Sequence, residues 1–150
     1  MEFKENSKNY HAPMHTAEHI LNQTMIRIFG IERSFSNHIE RKKSKCDYHF
    51  ERDLTEAEVQ EINKKVNDVI EMKLDVKEQF ITREVASEKF SLTKLPDDAG
   101  GTIRVINIGD YDSCLCSGEH AKNTSEIRKF AISTHSFENG VLRIRYKLSE

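Results

Sequence analysis

The clearest feature of the hydrophobic pattern is an amphipathic segment near the start of the chain. From Pro13 to Phe29 the apolar residues recur at steps of three and four positions, and Gly30 follows as a stop, which predicts a helix. At about 100° per residue, His15 and His19 lie beside the apolar stripe rather than at its centre. We therefore expect the apolar face to anchor the helix and both histidines to lie on the wall of a cleft.

The remaining pattern mixes strands and helices. Lys45–Glu51 alternates apolar and polar residues, as a half-buried strand does, and Thr55 with Glu58 forms a capping box for a second helix that reaches about residue 72. Helices and adjacent antiparallel strands in this order predict a single α+β domain over residues 1–150, an antiparallel sheet packed with helices. The other predicted elements are strands near 77–84 and 102–108, a short helix at 84–91, a loop at 95–101, and a hairpin over 128–136 and 141–148 that turns at Asn139-Gly140.

Composition supports a globular domain of ordinary size. The chain has 150 residues, of which 37% are hydrophobic and 32% charged, and no apolar run approaches membrane-spanning length. The first residues lack the apolar stretch of a secretion signal, so we expect a cytoplasmic protein. Its three cysteines are then expected to be reduced, and to serve as thiolate ligands or in packing rather than in disulfides.

Charge is balanced overall but locally clustered. A formal net charge of −2 gives no general attraction to nucleic acid, so any such partner must be held by local patches. One patch, within residues 41–45, is a basic run. The other, within residues 143–147, alternates with apolar residues, which places its cations on one face of a strand. A patch of this kind is more often only a solvated surface, so neither patch alone argues for RNA. The candidate RNA-binding residues are Arg41, Lys42, Lys43, Lys45, Arg143, Arg145 and Lys147.

Two short strings, His15-Thr-Ala-Glu-His19 and Cys116-Ser-Gly-Glu-His120, carry the candidate chemistry. Histidines four positions apart on a helix project from the same side, and zinc prefers nitrogen and sulfur ligands in a tetrahedron. Either string alone is weak, but together they predict one zinc site made of His15, His19, Cys116 and His120. The other histidines have no partner at ligand spacing, and we interpret them as surface or strand residues.

The first string also matches HxxEH, a signature of inverted zinc metalloproteases in which the glutamate is a catalytic base. Such a site needs a further carboxylate ligand from a downstream helix and a large chamber for peptide, for which a 150-residue chain leaves little room. Glu18 is then either solvated or a partner of a ligating imidazole. We therefore favour a different kind of zinc site.

The two metal strings, followed by Ala121-Lys-Asn-Thr-Ser-Glu-Ile127, resemble the editing domain shared by alanyl- and threonyl-tRNA synthetases, and most of all the free-standing alanyl-tRNA editing proteins. The resemblance extends over nearly the whole chain. It implies an α+β fold, zinc held by the four residues above, and hydrolysis of an amino acid wrongly esterified to tRNA. The expected partners are therefore mischarged tRNA and the small amino acid at its 3′ end, with no DNA and no membrane. Further segments resemble the family and occur in the same order along the chain as they do there: Asp47–Phe50, Glu61–Asn67, Ile103–Ile106 and Gly140–Ile144.

The chain departs from the family pattern beside the ligands. Ser117 and Glu119 stand where the family usually has glycine and threonine or proline, and Ser125 replaces a glycine. We expect the carboxylate of Glu119 to lie near the ion, and we take Glu119 and Thr16 as candidate catalytic residues. The family's usual targets are serine or glycine on alanine tRNA, with serine on threonine tRNA as the variant.

A catalytic zinc keeps one position open, whereas four protein ligands make a closed site. We expect three firm histidines and Cys116 as the weakest ligand. The alternative is a binding module for tRNA or a synthetase in which the zinc is structural.

Overall fold

Helices and two antiparallel sheets form one small α+β domain in the computed structural model, which describes residues 11–89, 102–116 and 118–149. The predicted fold class is confirmed. The predicted loop at 95–101 lies outside the described residues. In chain order the elements are α1 (Ala12–Phe29), β1 (Ser36–His38), β2 (Ser44–His49), α2 (Glu56–Glu71), β3 (Val76–Thr82), α3 (Arg83–Lys89), β4 (Thr102–Ile108), β5 (Asp112–Leu115), a 3₁₀ turn (Thr124–Ile127), β6 (Phe130–Glu138) and β7 (Val141–Leu148).

The larger sheet has the strand order β1-β2-β7-β6, and it forms one wall of the core. Tyr48 of β2 and Ile144 and Tyr146 of β7 are fully buried, on the face that alternates with the cationic one. The helices α1 and α2 supply much of the remaining core through residues such as Leu21 and Val66, which are also fully buried. The apolar stripe of α1 therefore anchors it as the periodicity predicts.

The smaller sheet, β3-β4-β5, leads directly into the second metal string. The predicted strand at 77–84 ends earlier, at Thr82, and the predicted short helix begins at Arg83. Two strands, β1 and β5, have no sequence signal. The three residues of β1 are all exposed, and β5 has only four residues, so neither offers an apolar alternation to detect.

Local signals for helix starts and turns are confirmed. Thr55 and Glu58 form the reciprocal capping box at the start of α2. The β6–β7 hairpin turns at Asn139 and Gly140, whose φ values of 52° and 79° are the positive values that this tight turn requires. In the described part of the chain, no helix is long and apolar enough to cross a membrane.

Candidate metal centre

The structure brings the two metal strings together. One turn of α1 presents His15 and His19, and the loop after β5 presents Cys116 and His120. One potential ligand atom from each of the four residues lies within 4.8 Å of all the others, and the Cys116 Sγ is 3.2 Å from the His15 Nε2. The rings of His15 and His120 are stacked at a centroid distance of 3.9 Å. Four nitrogen and sulfur donors thus surround one point.

The protein binds each imidazole through its Nδ1 atom. The His15 Nδ1 lies 3.0 Å from the carbonyl oxygen of Glu119, and the His120 Nδ1 lies 3.0 Å from the hydroxyl of Thr16. The His19 Nδ1 is 3.4 Å from a carboxylate oxygen of Asp112, which is an electrostatic contact rather than a well-formed hydrogen bond. The Nε2 atom of each ring is thereby left for a metal ion.

The Nε2 atom of His120 is buried, and it has no hydrogen-bond partner among the described residues. A buried polar atom without a partner is costly, and a cation at the centre of the cluster would satisfy it. The donor set and the direction of the rings therefore fit a zinc ion.

The electrostatics of the cluster favour the neutral forms of His15 and His120. Burial lowers the pKa of His15 to about 3, with further lowering from His19 and Arg104. Burial likewise lowers the pKa of His120 to about 2, with the neighbouring histidines adding to the effect. Burial raises the pKa of the Cys116 thiol to about 12, with Glu18 adding to it. Without a cation the cluster therefore holds a thiol, and a bound cation would convert it to a thiolate.

Thr16 of the first string is fully buried and contacts the second string. Its hydroxyl donates to the carbonyl of Ala12 at 3.2 Å and accepts the backbone N–H of Ala121 at 2.9 Å. Because the hydroxyl proton is directed to Ala12, the His120 Nδ1–H can donate to the same oxygen. Thr16 thus fixes both the tautomer of His120 and the start of the chain that follows it.

Asp112 supports His19 and was not predicted from the sequence. Its side chain is fully buried and receives two hydrogen bonds from the guanidinium of Arg33, at 2.9 and 3.1 Å, and one from Gln23 at 2.8 Å. Burial would raise the pKa of Asp112, but the contacts with His19 and Arg33 outweigh it and hold that pKa well below its usual range. A carboxylate behind a ligating imidazole is a common feature of zinc sites.

A cleft of about 380 Å³ opens beside the cluster, between β3, β4 and the metal loop. Of the three cluster rings, His120 lines this cleft, whereas His15 and His19 are only 6% and 2% exposed. Glu119 is exposed and lines the cleft too, but its contact with the cluster is through its backbone carbonyl. The sequence predicts both helical histidines on the cleft wall. In the structure the ring on that wall is instead His120, from the loop.

Arg104 holds the loop that carries Cys116. Its Nη1 donates to the carbonyls of Cys116 at 3.0 Å and Gly118 at 2.9 Å, and its Nε donates to Glu78 at 2.7 Å. Gly118 has a φ of 101°, a conformation that side-chain-bearing residues rarely adopt. The loop thus depends on a glycine for its bend and on Arg104 for its position.

The two candidate RNA-binding patches lie on adjacent strands of the larger sheet. Lys45 pairs directly with Arg145, and Asp47 pairs with Arg143, so the cations share the face opposite the core. Asp47 accepts two hydrogen bonds from Arg143, at 2.8 and 3.0 Å, and contacts Lys45 at 3.2 Å. The remaining candidates are exposed, with Lys147 on β7 and Arg41, Lys42 and Lys43 between β1 and β2.

Glu18 of the first string and His11 also have defined positions. Of the two alternatives for Glu18, burial at 7% exposure excludes a solvated residue, and the side chain lies against His15 and His19. His11, interpreted as a surface or strand residue, instead caps α1 by accepting the backbone N–H of Met14 at 3.3 Å.

Fold and site together define an α+β domain with a largely buried cluster of four residues that could hold a metal ion, beside an open cleft. Residues 103–145 match the family described as the threonyl and alanyl tRNA synthetase second additional domain. The chain belongs to this family.

Similar proteins over most of the chain are alanine–tRNA ligases. That of Caldicellulosiruptor saccharolyticus is 38% identical over 134 residues, 87% of this chain and 15% of the ligase. That of Methanococcus maripaludis strain C7 is 33% identical over 138 residues, 88% of this chain and 15% of the ligase. A Coxiella burnetii ligase is 31% identical over 124 residues, 81% of this chain and 14% of the ligase. The chain thus spans only a small part of the length of these relatives.

Proposed function

We propose that this domain is a zinc-dependent hydrolase that removes a wrongly attached amino acid from tRNA. The expected substrates are serine or glycine on alanine tRNA, with serine on threonine tRNA as the variant to test. The observation that carries the proposal is the convergence of His15, His19, Cys116 and His120 beside a cleft, in a domain whose relatives are alanine–tRNA ligases. We also propose a cytoplasmic location, where its free cysteines stay reduced.

The bond to be broken is an ester, which requires a nucleophilic water and stabilisation of the developing oxyanion. A bound zinc ion can polarise a carbonyl and lower the pKa of a coordinated water to about 7. The contribution of the chain is to fix three Nε2 atoms towards one point through contacts at each Nδ1. We propose that Thr16, considered catalytic from the sequence, acts by positioning His120, because its hydroxyl is buried and has three protein partners.

Glu119 is the proposed catalytic residue on the cleft side. It is exposed, lines the cleft and lies next to His120 in the chain. Its carboxylate can accept a proton from a water held in the cleft, or bind the ammonium group of the amino acid. Lys77 and Lys122 line the same cleft and offer positive charge to the terminal nucleotide. A volume of about 380 Å³ is within the usual range for small-ligand sites.

The body of the tRNA would contact the cationic face of the larger sheet. Lys45, Arg143, Arg145 and Lys147 project from neighbouring strands, so their charges act as one surface on the phosphate backbone. Asp47 offsets part of this charge, because it is ion-paired with Arg143 and Lys45. We therefore expect moderate, salt-dependent binding of tRNA.

The test is release of amino acid from seryl- and glycyl-alanine tRNA and from seryl-threonine tRNA. Wild type loaded with zinc should release the amino acid, and His15→Ala should lose most of the rate together with its metal. Glu61→Gln, an exposed change on α2, is the matched control and should behave as wild type. Binding of tRNA without release by the zinc-loaded wild type would refute hydrolysis and favour the binding-module alternative.

A further inference from the structure

Glu18 lies between the two helical histidines and is buried beside the cluster. Its side chain is 9% exposed, and its Oε1 atom is 3.9 Å from the Nε2 of His15 and 3.9 Å from the Nε2 of His19. These are the two nitrogen atoms that the protein directs towards the metal position. A separation of 3.9 Å is too long for a hydrogen bond, so this carboxylate oxygen lies beside both Nε2 atoms without being bonded to either ring.

The second carboxylate oxygen of Glu18 is held by a fixed partner. The side-chain amide of Asn22 donates to the Glu18 Oε2 and also to the Glu18 backbone carbonyl, at 3.0 Å for the latter. The Asn22 Oδ1 in turn accepts the backbone N–H of Ser34 at 2.6 Å, and Asn22 is fully buried. This arrangement fixes one oxygen of Glu18 and leaves the other beside the Nε2 atoms of His15 and His19.

The charges around the cluster leave a role for this carboxylate. Asp112 is neutralised by the guanidinium of Arg33, so it adds no net charge. A dication bound by three neutral imidazoles and one thiolate leaves a buried charge of about +1, which is costly without compensation. In the part of the chain that the structure describes, the charged contacts of Glu18 within 4 Å are with the two histidines, not with a lysine or arginine.

We propose that Glu18 is a fifth member of the metal centre, a carboxylate that compensates the charge of the bound dication and offers it an oxygen ligand. The buried set is then three histidines, one cysteine and one glutamate, with a total charge near zero when zinc is bound. This proposal builds on the zinc site of the proposed function but not on hydrolysis. It also explains why a carboxylate is buried on the polar side of α1, where burial without a cation is unfavourable.

The test measures zinc affinity without tRNA, by competition with a chromophoric chelator. Glu18→Gln keeps an oxygen that can accept the Asn22 amide but removes the charge, and we expect its zinc affinity to fall at least about 10-fold. Glu18→Asp keeps the charge and should retain more of the affinity than Glu18→Gln. Glu61→Gln is the matched control and should bind zinc as wild type does. Circular dichroism of the metal-free variants verifies that each one folds.

A second readout is the visible spectrum with Co²⁺ in place of zinc, which reports the coordination number. Glu18→Gln should shift it towards a four-coordinate spectrum relative to wild type. Unchanged zinc affinity and an unchanged Co²⁺ spectrum in folded Glu18→Gln would overturn the proposal, as would weaker binding by Glu18→Asp than by Glu18→Gln. Zinc binding that depends on Glu18 without amino acid release would refute only the proposed function. Failure of wild type to bind zinc would refute both.

Discussion

Zinc binding by this domain should release one proton, and Cys116 should be its source. Burial raises the pKa of the Cys116 thiol to about 12 in the metal-free protein, so the thiol is protonated at pH 8. The ligand form is the thiolate, and its proton must leave when the metal binds. His15 and His120, with pKa values lowered to about 3 and 2, are already neutral at that pH and release nothing.

The sign and size of the pH effect follow from this count. A proton held by the free protein and lost on binding makes the apparent zinc affinity rise with pH, about 10-fold per pH unit while the pH stays below the thiol pKa. Between pH 7 and pH 9 the affinity should therefore rise about 100-fold. Buffers and hydroxide also compete for zinc, so the comparison is made at a fixed free zinc concentration set by a chelator.

The assay is titration calorimetry at pH 8 in buffers with different ionisation enthalpies, in which the slope of the observed enthalpy gives the number of protons released. Wild type should give a value near one and Cys116→Ala a value near zero. Cys114→Ala changes a thiol on β5 that is not in the cluster, and it should keep the wild-type value. A wild-type value near zero would refute either the protonated thiol or its role as a ligand.

Three further outcomes are expected. Arg143→Glu with Arg145→Glu should weaken tRNA binding and reduce its salt dependence in filter-binding assays, and unchanged binding would exclude the sheet face. Thr16→Val should lower zinc affinity about 10- to 100-fold, because His120 loses its Nδ1 partner. Loss of activity with unchanged zinc affinity would contradict a positioning role for Thr16. Asn67→Ala should lower the free energy of unfolding by about 1–3 kcal/mol in urea titrations, because Asn67 bonds both backbone groups of Phe130, and no change would contradict this account.

Much of the site was accessible from the sequence because its signals are local. The four-residue spacing of His15 and His19 needs only helical geometry, and the alternation around Arg143 and Arg145 needs only a strand. The pairing of Lys45 with Arg145 joins strands that are 100 positions apart, and no local pattern specifies that register. The two basic patches could therefore be predicted separately but not as one surface.

The supporting residues of the centre were missed for a related reason. Asp112 lies in a four-residue strand without an apolar alternation, and its partner Arg33 lies in a connection with no regular structure. Arg104 is one charged residue in a strand, and only the fold shows that it holds the carbonyls of Cys116 and Gly118. Contacts of this kind depend on tertiary packing, because an isolated charge has the same local signature whether it is solvated or buried.

The position of the cluster also links the metal to the fold. Helix α1 packs its apolar face in the core and presents His15 and His19 to a loop that begins about 100 positions later in the chain. That loop is also attached through His15, Thr16 and Arg104, which bond its backbone or its histidine. A cation shared by helix and loop would close a long segment that includes β1 to β5, so its binding free energy would add to the stability of the folded domain. Geometry at the cleft and stability of the core thus depend on the same helix, because its apolar face packs in the core and its histidines would hold the ion.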